Sequence, residues 1–493
     1  MTGTSLFRAV AACFMAAWIG SVQAAPWIVE DGQPRAEIII AERPARSARL
    51  AAADLQEYVR KISGARLPIV TEPSGKAVRL FVGRSSYTDE LGITGEGLRY
   101  GAYRLVSGND WLIFLGDDTA FVPPEPWARN NAGIVSGELQ KAWEAAAGGP
   151  WGAPNATMWK DRDKVPAAVG LPDAAPRPGK RDFFEVWAYD ERGSFNAVSA
   201  FLRKLGVRWL LPGELGEIVP RRDSIVLPTI DETVRPDFEI RQFSFHGPRD
   251  WTQWARRLGV RYPYGMRTAH GMSRLARQEI FDAHPEWFAM YGGKRRFDPE
   301  AHKCHFCYSN EELFRETVRC VRAQFDVYDF KGVSVMPRDA YIAICQCPLC
   351  EGKDDPERGR RGSLSNHVWG FVNRVAKEVA KTHPRKHIYC CAYGTYSLPP
   401  TTIDKLEPNV QVVIVGGRRP KSGAAQQPAI RAFRRSWLPK TDRPIQIYEN
   451  YPLTNRGWYL PCFMARTIGQ SINETKGTSR GEEVWVSPHR EFD

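Results

Sequence analysis

Gly332-Val333-Ser334-Val335-Met336-Pro337-Arg338-Asp339 decides how this chain is read. A short valine-rich run stops at a proline, and a charged pair follows at once, which is how a buried strand ends in a loop. Comparable runs recur at Phe238 to Phe245, His387 to Tyr393, Val410 to Val415, Ile445 to Tyr448 and Val484 to Val486. Helical periods lie between them. Phe314, Val318, Val321 and Phe325 form one stripe within Glu311 to Phe325, with Ser309 and Glu312 spaced as a capping box. Val368, Val372, Val375 and Val379 form another within Leu364 to Thr382. Apolar strands alternating with helices predict a parallel sheet covered on both faces. Over roughly 250 residues the simplest closure of such a sheet is a (β/α) barrel, here 235–493. The runs fall short of eight. A strand near Arg261 to Met266 is one candidate for the shortfall, and an open C-terminal end of the barrel is the other.

Upstream, residues 25–228 read as a small α/β unit. Ala36 to Ala41 is a strand, and Leu55, Tyr58, Val59 and Ile62 make the apolar face of a helix that Gly64 ends. Arg79 to Gly83 is a second strand. Tyr103 to Val106 and Trp111 to Leu115 form a hairpin around Ser107-Gly108-Asn109-Asp110. Residues 119–184 are rich in Pro, Gly, Ala and Trp, and are expected to be an irregular insertion with one short helix near Gly137 to Ala147. Periodicity resumes with Phe195, Val198, Phe201, Leu202 and Leu205 on one helix, followed by the strand Val207 to Leu211.

Composition narrows the function. The chain has 493 residues, 43% hydrophobic and 25% charged, a balance that excludes a mainly disordered or multi-span membrane protein. Residues 1–24 have the pattern of a signal peptide: Arg8, an apolar stretch from Ala9 to Val22, and small residues in Val22-Gln23-Ala24. The expected product starts at Ala25 and is exported, periplasmic or secreted, with no integral membrane segment after removal. The net charge of +12 is spread over single residues and pairs such as Arg221-Arg222 and Arg418-Arg419, with no nucleic-acid module, so nucleic acid is not the expected partner. No H-E-x-x-H, G-x-S-x-G or G-x-x-x-x-G-K-[ST] occurs, which removes the simple zincin, α/β-hydrolase and P-loop readings.

In a parallel barrel the reacting groups sit where strands end. The strand-end residues are His246, then Arg338 and Asp339, then Tyr393 and Tyr396, then Glu449 and Asn450. Asp339 and Glu449 are thus expected at one mouth among aromatics, with His270 as a further sugar-lining candidate. Two carboxyl groups about 5–10 Å apart are what glycoside cleavage requires. Cysteines form a second pattern: Cys345-x-Cys347-x-x-Cys350, and Cys304-x-x-Cys307 upstream. These five thiols suit a structural zinc site, whereas export favours disulfides. Ten cysteines less Cys13 leave an odd number, so at least one is free or liganded. Both readings stay open, and no cofactor is expected for catalysis.

Ala51 to Val59, Ile62-Ser63-Gly64-Ala65 and Leu67-Pro68-Ile69 resemble the small N-terminal domain that precedes the barrel in α-glucuronidases and β-hexosaminidases. His284-Pro285-Glu286-Trp287-Phe288-Ala289, Cys307-Tyr308-Ser309-Asn310, the C-x-C-x-x-C loop and Trp369-Gly370-Phe371-Val372-Asn373 resemble the bacterial family named domain of unknown function 4838, largely grouped with glycoside hydrolase family 163. The resemblance implies an α/β protein, a hexosaminidase-type domain before a (β/α)8-like TIM barrel. It also implies an endo-β-N-acetylglucosaminidase-like hydrolase of N-acetylglucosamine-containing or related oligosaccharides. In that scheme the substrate acetamide acts as nucleophile, Glu449 is the acid/base and Asp339 polarises the amide, with Tyr393, Tyr396 and Asn450 as sugar contacts. Where the family pattern leads one to expect an Asp-Gly turn, this chain has Arg338-Asp339-Ala340. The alternative from another class is a non-catalytic carbohydrate-binding protein on the same scaffold.

Overall fold

The computed structural model describes residues 26–75, 78–127, 131–154, 162–166, 183–244, 249–265, 270–298, 304–416, 427–450 and 465–485. The expected signal peptide and His246 lie outside them.

The first layer is a mixed sheet of β1 (Ala36–Ile39), β2 (Ile69–Val70), β3 (Val78–Val82), β4 (Tyr103–Ser107), β5 (Trp111–Gly116) and β6 (Asp231–Val234), in the order β6-β4-β5-β3-β1-β2. Two helices, α1 (Arg46–Ser63) and α2 (Gly193–Lys204), cover it. Leu55, Tyr58, Val59 and Ile62 are buried as their spacing predicts, and Gly64 closes α1 in the left-handed conformation, donating its N–H to Arg60 O. The insertion contains a helix at Glu138–Ala147, whose Trp143 packs into the barrel core and stacks on Tyr328.

The second sheet is parallel throughout: β7 (Ile240–Ser244), β8 (Gly332–Ser334), β9 (His387–Ala392), β10 (Val410–Val415), β11 (Ile445–Asn450) and β12 (Ser479–Trp485). Their order is β7-β12-β11-β10-β9-β8, so the last strand lies beside the first, in register from Ile240↔Gly481 to Ser244↔Trp485. The last strand thus meets the first, while among the described residues the sheet does not close into a full ring. The interruption lies between β7 and β8, where the chain from Val260 to Gly265 crosses. Arg261 N donates to Arg241 O on β7 at 2.8 Å, and Gly332 N on β8 donates to Gly265 O at 2.9 Å. This is the stretch expected as a missing strand; it bridges its neighbours without a full ladder. The wall is therefore a TIM-type (β/α) barrel with six strands among the described residues rather than eight.

Helices α3 (Arg249–Arg257), α4 (Glu311–Tyr328), α5 (Ser365–Ala380), α6 (Gln427–Trp437) and α7 (Ala465–Asn473) fall between the strands. α4 is capped by Asn310, whose side chain accepts from Leu313 N at 2.8 Å, rather than by the expected Ser309–Glu312 box. The helix starts one residue later than that box requires, and Asn is an equally good cap. Arg257 ties the two sheets together. Its guanidinium donates to both Asp54 oxygens at 2.8 and 3.1 Å and lies over the Tyr58 ring.

Candidate active site in the barrel mouth

Residues in register on parallel strands point to the same face. Gln242, Glu483, Tyr448 and Val415 form one such row, and Val413 with Cys391 lies one layer below it. Gln242 Nε2 contacts Glu483 Oε1 at 3.4 Å across β7 and β12. At the opposite end of the same face, Arg480 reaches Tyr389 Oη and Gln411 Oε1, and the Tyr389 ring lies over Gly332. A Cβ at Gly332 would sit 2.0 Å from that ring, so glycine there makes room for the lumen to fill. This face is the barrel interior, and Glu483 is buried near its C-terminal rim.

Asp339 stands at that rim, half-buried, in the loop after β8. Tyr393, just beyond β9, donates its hydroxyl to Asp339 Oδ1 at 3.3 Å. Burial and the Asp339 charge push the Tyr393 phenol above its ordinary range, which keeps it a neutral donor. His270 Nε2 lies 3.8 Å from the same oxygen, and its Nδ1 is 2.6 Å from Pro337 O. A carbonyl oxygen only accepts, so Nδ1 carries the proton and Nε2 faces the carboxyl. Gly271 brings this segment against β8: a Cβ there would meet Ser334 O at 1.6 Å. Burial, and then the charges of Glu483, Cys391 and Tyr393, push the Tyr448 phenol above its ordinary range.

Glu449 is not in this mouth, which corrects the expected pairing with Asp339. It follows Ile445 and Ile447 on the face of β11 turned to the helices, and is fully buried. Arg434 of α6 donates to Glu449 Oε1 at 2.9 Å and to Ser471 Oγ of α7 at 3.0 Å. The alternation of side chains along a strand decides this: a residue one position from Tyr448 faces the other way. Glu483, in register with Tyr448, is the carboxyl of β12 on the lumen face. A strand taken to begin at Val484 leaves Glu483 out, whereas β12 begins at Ser479 and its register with β11 sets Glu483 beside Tyr448.

Tyr396 does not line the mouth. It is 1% exposed, its ring 6.5 Å from both Tyr393 and Tyr341. Behind the mouth, the hydroxyls of Tyr308, Tyr341 and Tyr396, His305 Nδ1 and His367 Nε2 are buried without a hydrogen-bond partner among the described residues. Burial raises all three phenols and lowers His305 and His367 to about 4. Arg338 donates to Cys304 O at 2.9 Å. Asn450 ends β11, with its side chain outside the described set.

The cysteines divide differently from expectation. Cys307, Cys345, Cys347 and Cys350 converge, with all four Sγ atoms within 4.8 Å of one another. Cys304 stays out, packed in the main barrel core. The segment is extended where Phe306 pairs with Phe288, so residues three apart face opposite sides.

Residues 211–451 match the model of the family described as Domain of unknown function (DUF4838). Among solved structures the chain is similar to a family GH115 4-O-methyl-α-glucuronidase with specificity for decorated arabinogalactans, at 13% identity and TM-score 0.47, covering 94% of this chain and 55% of that one. It is similar to the GH20 β-N-acetylhexosaminidase of Streptomyces coelicolor A3(2), at 12% and 0.42, covering 94% and 83%. A Flavobacterium johnsoniae chitobiase is similar at 9% and 0.42, covering 93% and 64%. The chain thus spans about half the length of the first of these. No curated protein matches it.

Proposed function

We propose that this chain, with its DUF4838 segment at residues 211–451, is an exported glycoside hydrolase acting on N-acetylglucosamine-containing or related oligosaccharides. The observation that carries the reading is the mouth itself: Asp339, held by Tyr393 beside His270, stands at the rim of the lumen that contains Glu483 and Tyr448. Hydrolysis of a glycosidic bond needs one group to protonate the leaving oxygen and another to stabilise or assist attack at the sugar centre. Glu483 is assigned the first role. Asp339 is assigned the second, orienting and polarising a substrate acetamide, with the Tyr393 phenol fixing its carboxylate.

The experiment is turnover of chitobiose-cored glycans by the purified chain, compared with Asp339→Asn and Glu483→Gln. Each variant should lose about 100-fold or more in kcat/KM, the ordinary contribution of a general acid or base, with thermal unfolding unchanged. Turnover equal to wild type in either variant removes that residue from the mechanism. Glycan binding without cleavage by wild type selects the carbohydrate-binding alternative. Export is tested by N-terminal sequencing of the secreted or periplasmic product, expected to start at Ala25.

A further inference from the structure

We propose that Cys307, Cys345, Cys347 and Cys350 bind one zinc ion as a tetrahedral four-thiolate site that clamps the Asp339 loop onto the barrel. The proposal is independent of the hydrolytic reading.

Local structure gathers the four sulfurs from three places. Cys307 precedes α4. Cys345 lies in the loop after β8, and Cys347 and Cys350 flank a single 3-10 turn at Pro348–Cys350, closed by Cys350 N donating to Cys347 O at 2.9 Å. That turn brings two thiols separated by two residues to the same side, which the extended Cys304–Cys307 pair does not do. Cys307 Sγ is 3.5 Å from both Cys347 Sγ and Cys350 Sγ. Four sulfurs on a zinc ion at about 2.3 Å lie about 3.8 Å from one another. The observed cluster therefore matches the edges of a zinc–thiolate tetrahedron.

The surroundings suit a site of net negative charge. Met290 N donates to Cys345 Sγ at 3.2 Å, and the Arg295 guanidinium lies beside Cys347. Backbone N–H groups directed at sulfur and a nearby cation are the outer contacts that stabilise metal-bound thiolates. All four cysteines are buried, and they form a small cluster of their own with Ala289, packed against Met290, Tyr291 and Ile344. Among the described residues no cysteine is in a disulfide. The site is also a mechanical junction. It joins the short hairpin at Met290–Tyr291 and Lys294–Arg295, the start of α4 and the loop of residues 338–350, the segment carrying Asp339 and Tyr341. A metal there would fix that loop at both ends, since its start is held by Arg338 on Cys304 O.

The test is metal analysis of the full chain purified without chelators, followed by replacement of the metal with cobalt. The expected result is one equivalent of zinc, with cobalt producing the thiolate charge-transfer bands and intense visible bands of a tetrahedral sulfur site. Cys350→Ser should lose the metal, whereas Cys320→Ser, a buried cysteine of α4 outside the cluster, should retain it. Should Cys350→Ser fail to fold, the wild-type stoichiometry and cobalt spectrum still decide. Metal-free protein whose mass shows these four cysteines joined as two disulfides overturns the proposal, as does metal-free protein with four titratable thiols or a cobalt spectrum without sulfur ligation.

Discussion

The small N-terminal unit and the region behind the barrel mouth differ in the kind of polar group they bury. Two acids of the small unit are met by arginine: Arg46 is bidentate on Asp190 at 2.6 and 2.7 Å, and Asp54 is held by Arg257. Behind the mouth, aromatic hydroxyls and imidazole nitrogens are buried with no hydrogen-bond partner among the described residues. Buried polar groups are ordinarily paired, and departures concentrate where a protein does something besides hold its shape. The region behind the mouth retains hydrogen-bonding capacity that no described residue uses.

The two regions also carry opposite pH liabilities. Asp118 of the small unit accepts from Ser194 N at 3.1 Å, but burial pushes its carboxyl up to about 7. The fold disfavours its charged form, so stability is lost as pH rises from the ordinary value of 3.8 through about 7. His367 in the barrel is lowered from 6.5 to about 4 by burial. The unfolded chain takes up a proton first, so stability is lost as pH falls from 6.5 towards 4.

The sharpest way to break the comparison is Glu449→Ala. Glu449 and Arg434 are both almost fully buried, so removing one partner should lower unfolding free energy by about 3–5 kcal/mol, measured by denaturant midpoint. A variant as stable as wild type but inactive would put Glu449 back in the mechanism. Next in size is Asp118→Asn, which should raise the melting temperature at pH 8 and leave it unchanged at pH 4; the same gain at both would remove the titration argument. His367→Gln should flatten the acid side of the stability profile between pH 6.5 and 4, with little change at pH 8; parallel curves there would contradict a buried neutral imidazole. Arg84→Ala marks the lower end. Its pair with Asp89 is exposed, 77% and 43%, so its loss should leave the denaturant midpoint unchanged, and a clear drop would show the pair to be structural.

Within the fold, the legible parts were those whose signal is local. The stripes of α1, α4 and α5 and the valine-rich strands each have a period confined to a few turns or residues, and they form where that period places them. The stretch 260–265 was harder to read because it has only a single bridge and no apolar run of its own. In the site, Asp339 and Tyr393 could be proposed from their places after strands. Glu449 was misassigned because position after a strand says nothing about which face a side chain takes.

What the amino-acid order determined by itself is the alternation of strand and helix, and with it a parallel wall with chemistry at strand ends. It also put three thiols within one short loop. Only the tertiary structure decided which acid enters the lumen and which thiol joins the cluster. Both depend on the side of an extended backbone that faces the neighbouring strand, and a shift of one residue inverts that side while barely changing the apolar pattern.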